Sequence, residues 1–270
     1  MKIVLSDARK VMQFACILRH LKNISNDIEI LINKDRLYTQ GMDQSQVSLF
    51  ELHLKNTWFD KYIVDEDIRI GINCELIFKI LNSLTDSQII EMKWDDDDCD
   101  YLYIILYSPE GKRGIRKEFK LPLMYIDSEI LNVPTTDYTV DLEMVSSEFA
   151  TLIDELKLFG DTLEVNCGDY IKLIGKGDMG EMKALIKEDD IIMYAIEEDT
   201  TLHVQYQLSY IHQMAMFSKV NKKVNIHFSK ELPMKIQYDM DDILDDDDEN
   251  EDYEVTNFVR FFLAPKIEDF

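Results

Sequence analysis

The sequence predicts an α+β protein made of two similar domains, each with two amphipathic helices packed on antiparallel strands. Alternating apolar and polar residues, which are typical of half-buried strands, recur along most of the chain. The order of predicted elements also repeats, because the first helices of the two halves begin about 138 positions apart and the second helices about 133. A chain of 270 residues therefore reads as a tandem duplication.

The first half begins with a helix that Ser6 or Asp7 can cap. Its apolar positions follow the helical period and are Val11, Phe14, Ile17, Leu18 and Leu21. A second helix begins near Asn73, with an apolar side of Leu76, Ile77, Ile80 and Leu81. We expect a turn at Gly41 and strands at 28–32, 37–40, 42–52, 68–72, 89–90, 101–107 and 115–121.

The second half repeats this order. Ser146 or Ser147 is predicted to cap a third helix, whose apolar residues are Phe149, Leu152, Ile153 and Leu156. A fourth helix carries Leu208, Ile211, Met214 and Phe217. We expect strands at 163–165, 171–174, 182–186, 202–206, 224–228 and 234–238, and a final strand at 258–263. Pro265 ends that last strand because proline has no N–H to donate.

Domain boundaries follow from this order of elements. We predict domains over residues 1–122 and 141–270, joined by an extended connector over residues 123–140. The connector carries Ile130, Leu131 and Val133, and exposed apolar residues in a linker suggest a docking surface. An acidic run at about 239–252 precedes the last strand, and we interpret it as a solvated insert.

Composition limits the classes of function. The formal net charge is −24, which at first argues against nucleic acid, but net charge does not describe what one face carries. No apolar run reaches the roughly 18 to 20 residues of a membrane span, and the start is too short for a secretory signal. The four cysteines show no Cys-x-x-Cys spacing, so we expect buried reduced thiols in a cytosolic or nuclear protein.

Three further patterns do not predict chemistry. Residues 175–180 fit G-x-G-x-x-G, but a strand rather than a helix follows, so we expect a hairpin turn. The aspartates at 95–98 and 100 lack the glycine of a calcium-binding loop, and we interpret them as a solvated loop. The five histidines show no ligand spacing, and no nucleophile pairs with a base. We expect no metal, no cofactor and no enzymatic activity.

Several segments resemble the proliferating cell nuclear antigen (PCNA) family of DNA sliding clamps. Gly41-Met42-Asp43, followed by Ser45, Val47, Ser48, Leu49 and Leu52, resembles the family's Ser-Met-Asp-x-Ser-x-Val-x-Leu segment. Trp58-Phe59-Asp60-x-Tyr62 resembles its Gly-Phe-Asp-x-Tyr. Leu131-x-Val133-Pro134 is similar to its interdomain connector, and residues 262–268 are similar to its C-terminus. These matches are collinear over nearly the whole chain.

The resemblance implies a ring of three chains around duplex DNA, with the helices facing the hole. Such a ring tethers DNA polymerase, the clamp loader and other proteins that carry a short interacting peptide. It implies action in the nucleus or at a site of viral DNA replication. The divergence and the acidic insert suggest a viral or protist source.

The resemblance also implies three sets of site residues. The partner-peptide pocket would be lined by Met42, Val47, Leu49, Leu131, Val133, Pro134, Pro233, Phe262, Ala264 and Pro265. The DNA-facing residues would be Arg9, Arg19, His20, Lys22, Lys79, Lys157 and Lys219. The subunit interface would pair edge strands that contain Ile115, Arg116, Lys117 and Phe119 on one side and Glu181, Lys183 and Leu185 on the other.

The sequence departs from the family on the DNA-facing side. Asn82, Thr151, Asp154 and Met216 stand where relatives carry lysine or arginine, so we predict weaker direct contact with DNA. Phe262 also replaces a tyrosine found in many relatives.

Three alternatives remain open on the sequence alone. The chain could be one subunit of a heteromeric or checkpoint-type clamp, or a monomeric processivity subunit. It could also be a metal-dependent nuclease that uses the aspartates at 95–98.

Overall fold

The computed structural model describes residues 1–85, 87–126, 129–134, 136–178, 180–240 and 256–266. Within these ranges it contains four α-helices and antiparallel strands, which confirms the predicted α+β class. The chain divides into two compact units. Unit 1 comprises Met1–Gly41, Glu51–Ile130 and Met240–Val259, and unit 2 comprises Met42–Phe50, Leu131–Asp239 and Arg260–Phe270. Most of the predicted acidic insert, residues 241–252, lies outside the described residues.

The first half of the chain holds two helices and nine strands among its described residues. The helices are α1 (Ala8–Leu21) and α2 (Cys74–Leu81). The strands are β1 (Lys2–Leu5), β2 (Asp27–Ile32), β3 (Arg36–Met42), β4 (Ser48–Lys55), β5 (Lys61–Ile63), β6 (Ile68–Asn73), β7 (Ile89–Lys93), β8 (Tyr101–Tyr107) and β9 (Lys117–Pro122). In unit 1 one antiparallel sheet has the order β5-β1-β7-β8-β9, and β2 pairs with β3 and β6.

The second half repeats the pattern. The helices are α3 (Ser146–Lys157) and α4 (Leu208–Ala215). The strands are β10 (Val140–Val145), β11 (Thr162–Cys167), β12 (Ile171–Gly177), β13 (Gly180–Ile186), β14 (Met193–Ile196), β15 (Leu202–Gln207), β16 (Lys223–Phe228), β17 (Met234–Asp239) and β18 (Phe258–Leu263). In unit 2 one sheet has the order β13-β12-β11-β15, and a second run of neighbours is β14-β10-β16-β17-β18.

The helices bury most of the faces that the sequence predicts, although Leu76 of α2 is exposed and Leu152 of α3 is half-buried. In α1 all five predicted apolar residues are buried, and Asp7 caps the helix by accepting a hydrogen bond from the Lys10 N–H at 2.9 Å. Asn73 caps α2 in the same way through the Leu76 N–H at 3.1 Å. Helix α1 packs beside α2, and α3 packs beside α4. Among the described residues, no helix combines the length and apolar character needed to cross a membrane.

Some local predictions were wrong. Gly41 does not turn the chain, because β3 continues through Met42 and the turn follows at 43–47. Neither serine caps α3 with its side chain: the N-cap is Val145, and buried Ser146 is the first helical residue. Ile115 and Arg116 precede strand β9 instead of lying in it. Three of the cysteines are buried, but Cys99 is exposed.

The G-x-G-x-x-G segment forms the predicted hairpin, in which β12 pairs with β13 and Gly177 lies opposite Gly180. Its glycines have a packing role. A Cβ on Gly175 would lie 2.5 Å from the Leu156 carbonyl oxygen at the end of α3, and one on Gly177 would lie 2.3 Å from that of Phe159. These glycines therefore let the end of α3 approach the hairpin backbone.

Buried Glu91 holds two strands of unit 1 together electrostatically. Its carboxylate lies 2.8 Å from Lys2 Nζ on β1 and 2.9 Å from Lys93 Nζ on its own strand β7. Burial acts to raise the pKa of Glu91, but these two ammonium groups lower it to about 2. The charged form is therefore favoured in the folded state.

We predict that Glu91→Gln lowers the free energy of unfolding at neutral pH by about 1–3 kcal/mol, because it leaves two ammonium groups without their anion. Since the folded-state pKa lies below the ordinary glutamate value, this stabilisation is present above about pH 4.3 and is lost as the pH falls towards the pKa of about 2. Urea unfolding of both proteins across this range should show the difference shrinking with acidification. A difference that stays constant with pH would contradict the assignment.

Candidate functional site

The turn after β3 is organised by one carboxylate. Asp43 accepts hydrogen bonds from the backbone N–H groups of Ser45 at 2.9 Å, Val47 at 2.9 Å and Ser48 at 2.7 Å. The hydroxyl of Tyr210 on α4 donates a fourth bond at 2.9 Å. The carboxylate thus accepts the hydrogen bonds that backbone carbonyl groups would accept in a regular strand or helix.

Asp43 is almost fully buried, with 9% of its surface exposed, yet it is held in the charged form. Burial acts to raise the pKa of Asp43, but the donors at Ser48, Ser45, Tyr210 and Val47 together bring it below the ordinary aspartate value. The turn therefore presents Val47 and its neighbours from a rigid base.

The C-terminal stretch meets this turn within unit 2. The Ala264 N–H donates to the Val47 carbonyl at 2.9 Å, and the Lys266 N–H donates to Gln205 at 2.7 Å. Lys266 Nζ also reaches Thr162 Oγ1 at 2.7 Å. Two of the four stretches predicted to line the pocket are therefore adjacent.

All ten predicted pocket residues belong to unit 2. Five of them are exposed: Met42, Val47, Leu131, Pro134 and Pro233. Four are partly exposed: Leu49, Val133, Ala264 and Pro265. Phe262 is buried, with 9% of its surface exposed, so it offers little surface to a partner. The connector residues have neither helical nor strand conformation over 129–134, as the sequence predicts.

The predicted DNA-facing cations of unit 1 are mostly engaged. Lys22 and Lys79 both approach Glu75, at 3.6 Å and 3.8 Å. Arg19 donates through its guanidinium to the Leu81 carbonyl at the end of α2. Arg9 is exposed and His20 is half-buried. Lys22, Lys79 and Arg19 therefore already contact protein groups through their charged ends.

In unit 2 the predicted cations lie at the ends of helices. Lys157 is the last residue of α3 and is half-buried, and Lys219 is exposed in the short 3₁₀ turn Met216–Lys219 after α4. Between these helices, His212 Nε2 lies 3.1 Å from Asp154 Oδ1. Sequence reasoning did not single out His212, since its neighbour Asp154 is distant in the chain.

The strands predicted to form the subunit interface are both at sheet edges. Strand β9 is the last strand of its sheet in unit 1, and β13 is the last strand of the β13-β12-β11-β15 sheet in unit 2. An ion pair lies at each edge: Arg116, just before β9, is 3.6 Å from Glu118 on β9, and Lys183 is 2.6 Å from Glu181 on β13. Exposed apolar side chains accompany them, with Ile115 76% and Leu185 61% exposed.

The remaining predicted interface residues are less accessible. Phe119 is half-buried on β9, and Lys117 donates through its ammonium group to the Ser83 carbonyl. Of the predicted interface residues, Ile115, Arg116, Glu181, Lys183 and Leu185 are thus the ones whose side chains are well exposed.

A cavity of about 590 Å³ lies elsewhere in unit 1 and contains none of the predicted site residues. Its lining includes Asp95, Asp96 and Asp98. Residues 96–98 form a 3₁₀ turn instead of the expected loop, and Asp98 pairs with Lys120 at 2.7 Å. Across the described residues, no group of three or more histidine, cysteine, aspartate or glutamate side chains could hold a metal ion.

Two family models match the chain. The model for the proliferating cell nuclear antigen N-terminal domain matches residues 9–130, and the model for its C-terminal domain matches residues 132–246. The chain belongs to the PCNA family. As a member of this family it is a sliding clamp, and the two matches follow the repeat of elements that the sequence predicts. Members of the PCNA family are clamps without enzymatic activity, which gives the nuclease alternative no support.

We predict that Asp43→Ala lowers the free energy of unfolding by roughly 1–3 kcal/mol, because it leaves four donors without their acceptor. Tyr210→Phe removes one donor and should cost clearly less. Since the pKa of Asp43 is lowered, its contribution is present above the ordinary aspartate pKa and is lost as the pH falls below it. Urea unfolding of the two variants provides the measurement. Equal losses for both would contradict the central role of the carboxylate.

Proposed function

We propose that three copies of this PCNA-family clamp close into a ring around duplex DNA. The observation that carries this proposal is that β9 and β13 both end their sheets. Unpaired edge strands tend to pair with another chain, and a head-to-tail contact that closes after three copies gives every β9 a β13 partner. The alternate-residue ion pairs on each edge supply opposite charges that can be exchanged across such a contact.

We further propose that the ring tethers DNA polymerase, the clamp loader and other replication or repair proteins. The apolar surface of unit 2 supports this role, because exposed Val47 lies in a rigid turn beside Ala264 and exposed Met42 directly precedes that turn. A peptide with one helical turn and aromatic anchors fits such a surface. Tethering raises the effective concentration of the polymerase at its template. We place this activity in the nucleus or at a site of viral DNA replication.

The mass in solution tests the ring. We expect light scattering across a dilution series to give about 95 kDa, which is three times the chain mass of 31.8 kDa. Leu185→Asp should shift the mass towards one chain, because it places a charge at an apolar contact. It also removes the roughly 1.5–3 kcal/mol of association free energy that burial of a leucine side chain contributes. Tyr170→Asp is the control, since Tyr170 is 52% exposed in unit 2 but outside β13.

A wild-type mass near 31.8 kDa would contradict the homotrimer and favour a monomeric processivity subunit or a ring that needs other chains. An unchanged mass for Leu185→Asp would remove β13 from the contact.

The partner surface has its own test. We expect Leu131→Asp to weaken binding of a fluorescent peptide with two aromatic anchors by about ten-fold or more, because a charge replaces an apolar anchor. Ile192→Asp is a matched control, since both residues are 43% exposed in unit 2 and only Leu131 belongs to the predicted pocket. Fluorescence polarisation measures both. Equal losses would show that the peptide binds elsewhere.

A further inference from the structure

One carboxylate engages two of the cations that the family resemblance assigns to DNA. Lys22 follows the end of α1, Lys79 lies in the last turn of α2, and Glu75 lies in the first turn of α2. Glu75 Oε2 is 3.6 Å from Lys22 Nζ, and Glu75 Oε1 is 3.8 Å from Lys79 Nζ. One carboxylate oxygen therefore faces the lysine that follows α1, and the other faces a lysine of α2 itself.

The position of Glu75 suits an anion for a second reason. The first turn of a helix carries unpaired N–H groups and the positive end of the helix dipole. Glu75 is placed there, and its side chain is still 51% exposed. It thus stands at the same surface as the two ammonium groups.

Lys22 is held more firmly than Lys79. Its Nζ lies 3.1 Å from the centroid of the Phe78 ring, which is a cation–π contact. Only 26% of the Lys22 side chain is exposed, compared with 65% for Lys79. A phosphate that approaches this surface meets one lysine fixed between Glu75 and Phe78 and a second lysine paired to the same carboxylate.

We propose that Glu75 is an internal counterion that competes with DNA phosphate for Lys22 and Lys79. This inference rests on the proposed function, since it assumes that the α1–α2 surface faces DNA. Each lysine that binds a phosphate releases counterions and steepens the salt dependence of binding. A lysine that is already neutralised by Glu75 contributes less of this attraction.

Weakened binding of phosphate by Lys22 and Lys79 suits a protein that holds DNA by encircling it. A ring needs no strong contact with the backbone to stay on DNA, and strong contacts would slow its sliding. Glu75 would keep two lysine side chains at the surface while limiting how tightly they bind phosphate. The specificity of the contact is for the phosphate backbone, with no reading of base sequence.

The experiment compares Glu75→Gln with the unmodified clamp. Glutamine has nearly the same shape but no charge, so both lysines become available to phosphate. We expect the affinity for a short fluorescent duplex at low salt to rise by roughly three- to ten-fold. We also expect the slope of log affinity against log salt to steepen by up to about two, at close to 0.9 for each phosphate contact.

Two controls separate this effect from a general loss of negative charge. Glu66→Gln makes the same charge change in the exposed loop between β5 and β6 and should leave the salt slope unchanged. In a Lys22→Gln/Lys79→Gln background, Glu75→Gln should no longer steepen the slope. Unfolding midpoints of all variants show whether α2 stays intact.

The outcomes are distinct for the two proposals. A slope that is the same for the unmodified clamp and Glu75→Gln would overturn the counterion role, as would an equal change for Glu66→Gln. An absence of duplex binding in both proteins would overturn it as well. A mass of one chain in light scattering would instead count against the ring, whatever the salt slopes.

Discussion

Each helix buries one face against antiparallel strands of its own unit, and the surfaces that remain for function are those that this burial leaves exposed. In α1 the five apolar residues at the predicted helical spacing are buried, so most of the charged residues stand on the opposite side. In α3 the same burial of Phe149, Ile153 and Leu156 leaves Thr151, Asp154 and Glu155 at the surface. The helix surfaces that we propose to face DNA in the two units are therefore the sides that remain exposed after the apolar sides are buried.

In an acidic chain, the carboxylates next to each lysine or arginine determine how much of its positive charge is available to a partner. The chain carries 53 acidic and 29 basic residues apart from histidine, so a lysine has many carboxylates within reach. Glu91 pairs with two lysines in unit 1, Asp98 pairs with Lys120, and Glu75 faces two more lysines. The attraction of a positive residue for phosphate therefore depends on whether the fold places a carboxylate beside it, which a count of charges does not show.

The candidate pocket depends on backbone groups as much as on its apolar side chains. Asp43 fixes the turn through three N–H groups, and the Val47 carbonyl receives the Ala264 N–H. These backbone hydrogen bonds fix the turn and the end of the strand, and they therefore also fix the positions of the apolar side chains that these segments carry. Such a surface can bind a peptide without first paying the entropy of ordering its own loop.

Periodicity and local chemistry were enough to determine much of the fold. The helical period predicts α1 and α2, Asp7 and Asn73 are among the residue types that cap helices, and the final apolar run before Pro265 is a strand. Strands β1, β5 and β14 were missed because they are short and depend on pairing with distant partners. Strand β10 alternates clearly in Val140–Val145, and this signal was available but assigned to no strand.

The sequence by itself determined which faces are apolar, where the chain repeats and which family it resembles, because these features depend on spacing along the chain. Only the tertiary structure decided which polar atoms meet. Lys22 with Glu75, Asp43 with Tyr210 and Asp154 with His212 are all pairs between separate elements. The strength of each contact depends on distance and burial, which are set when the elements pack and are not encoded in residue type or spacing.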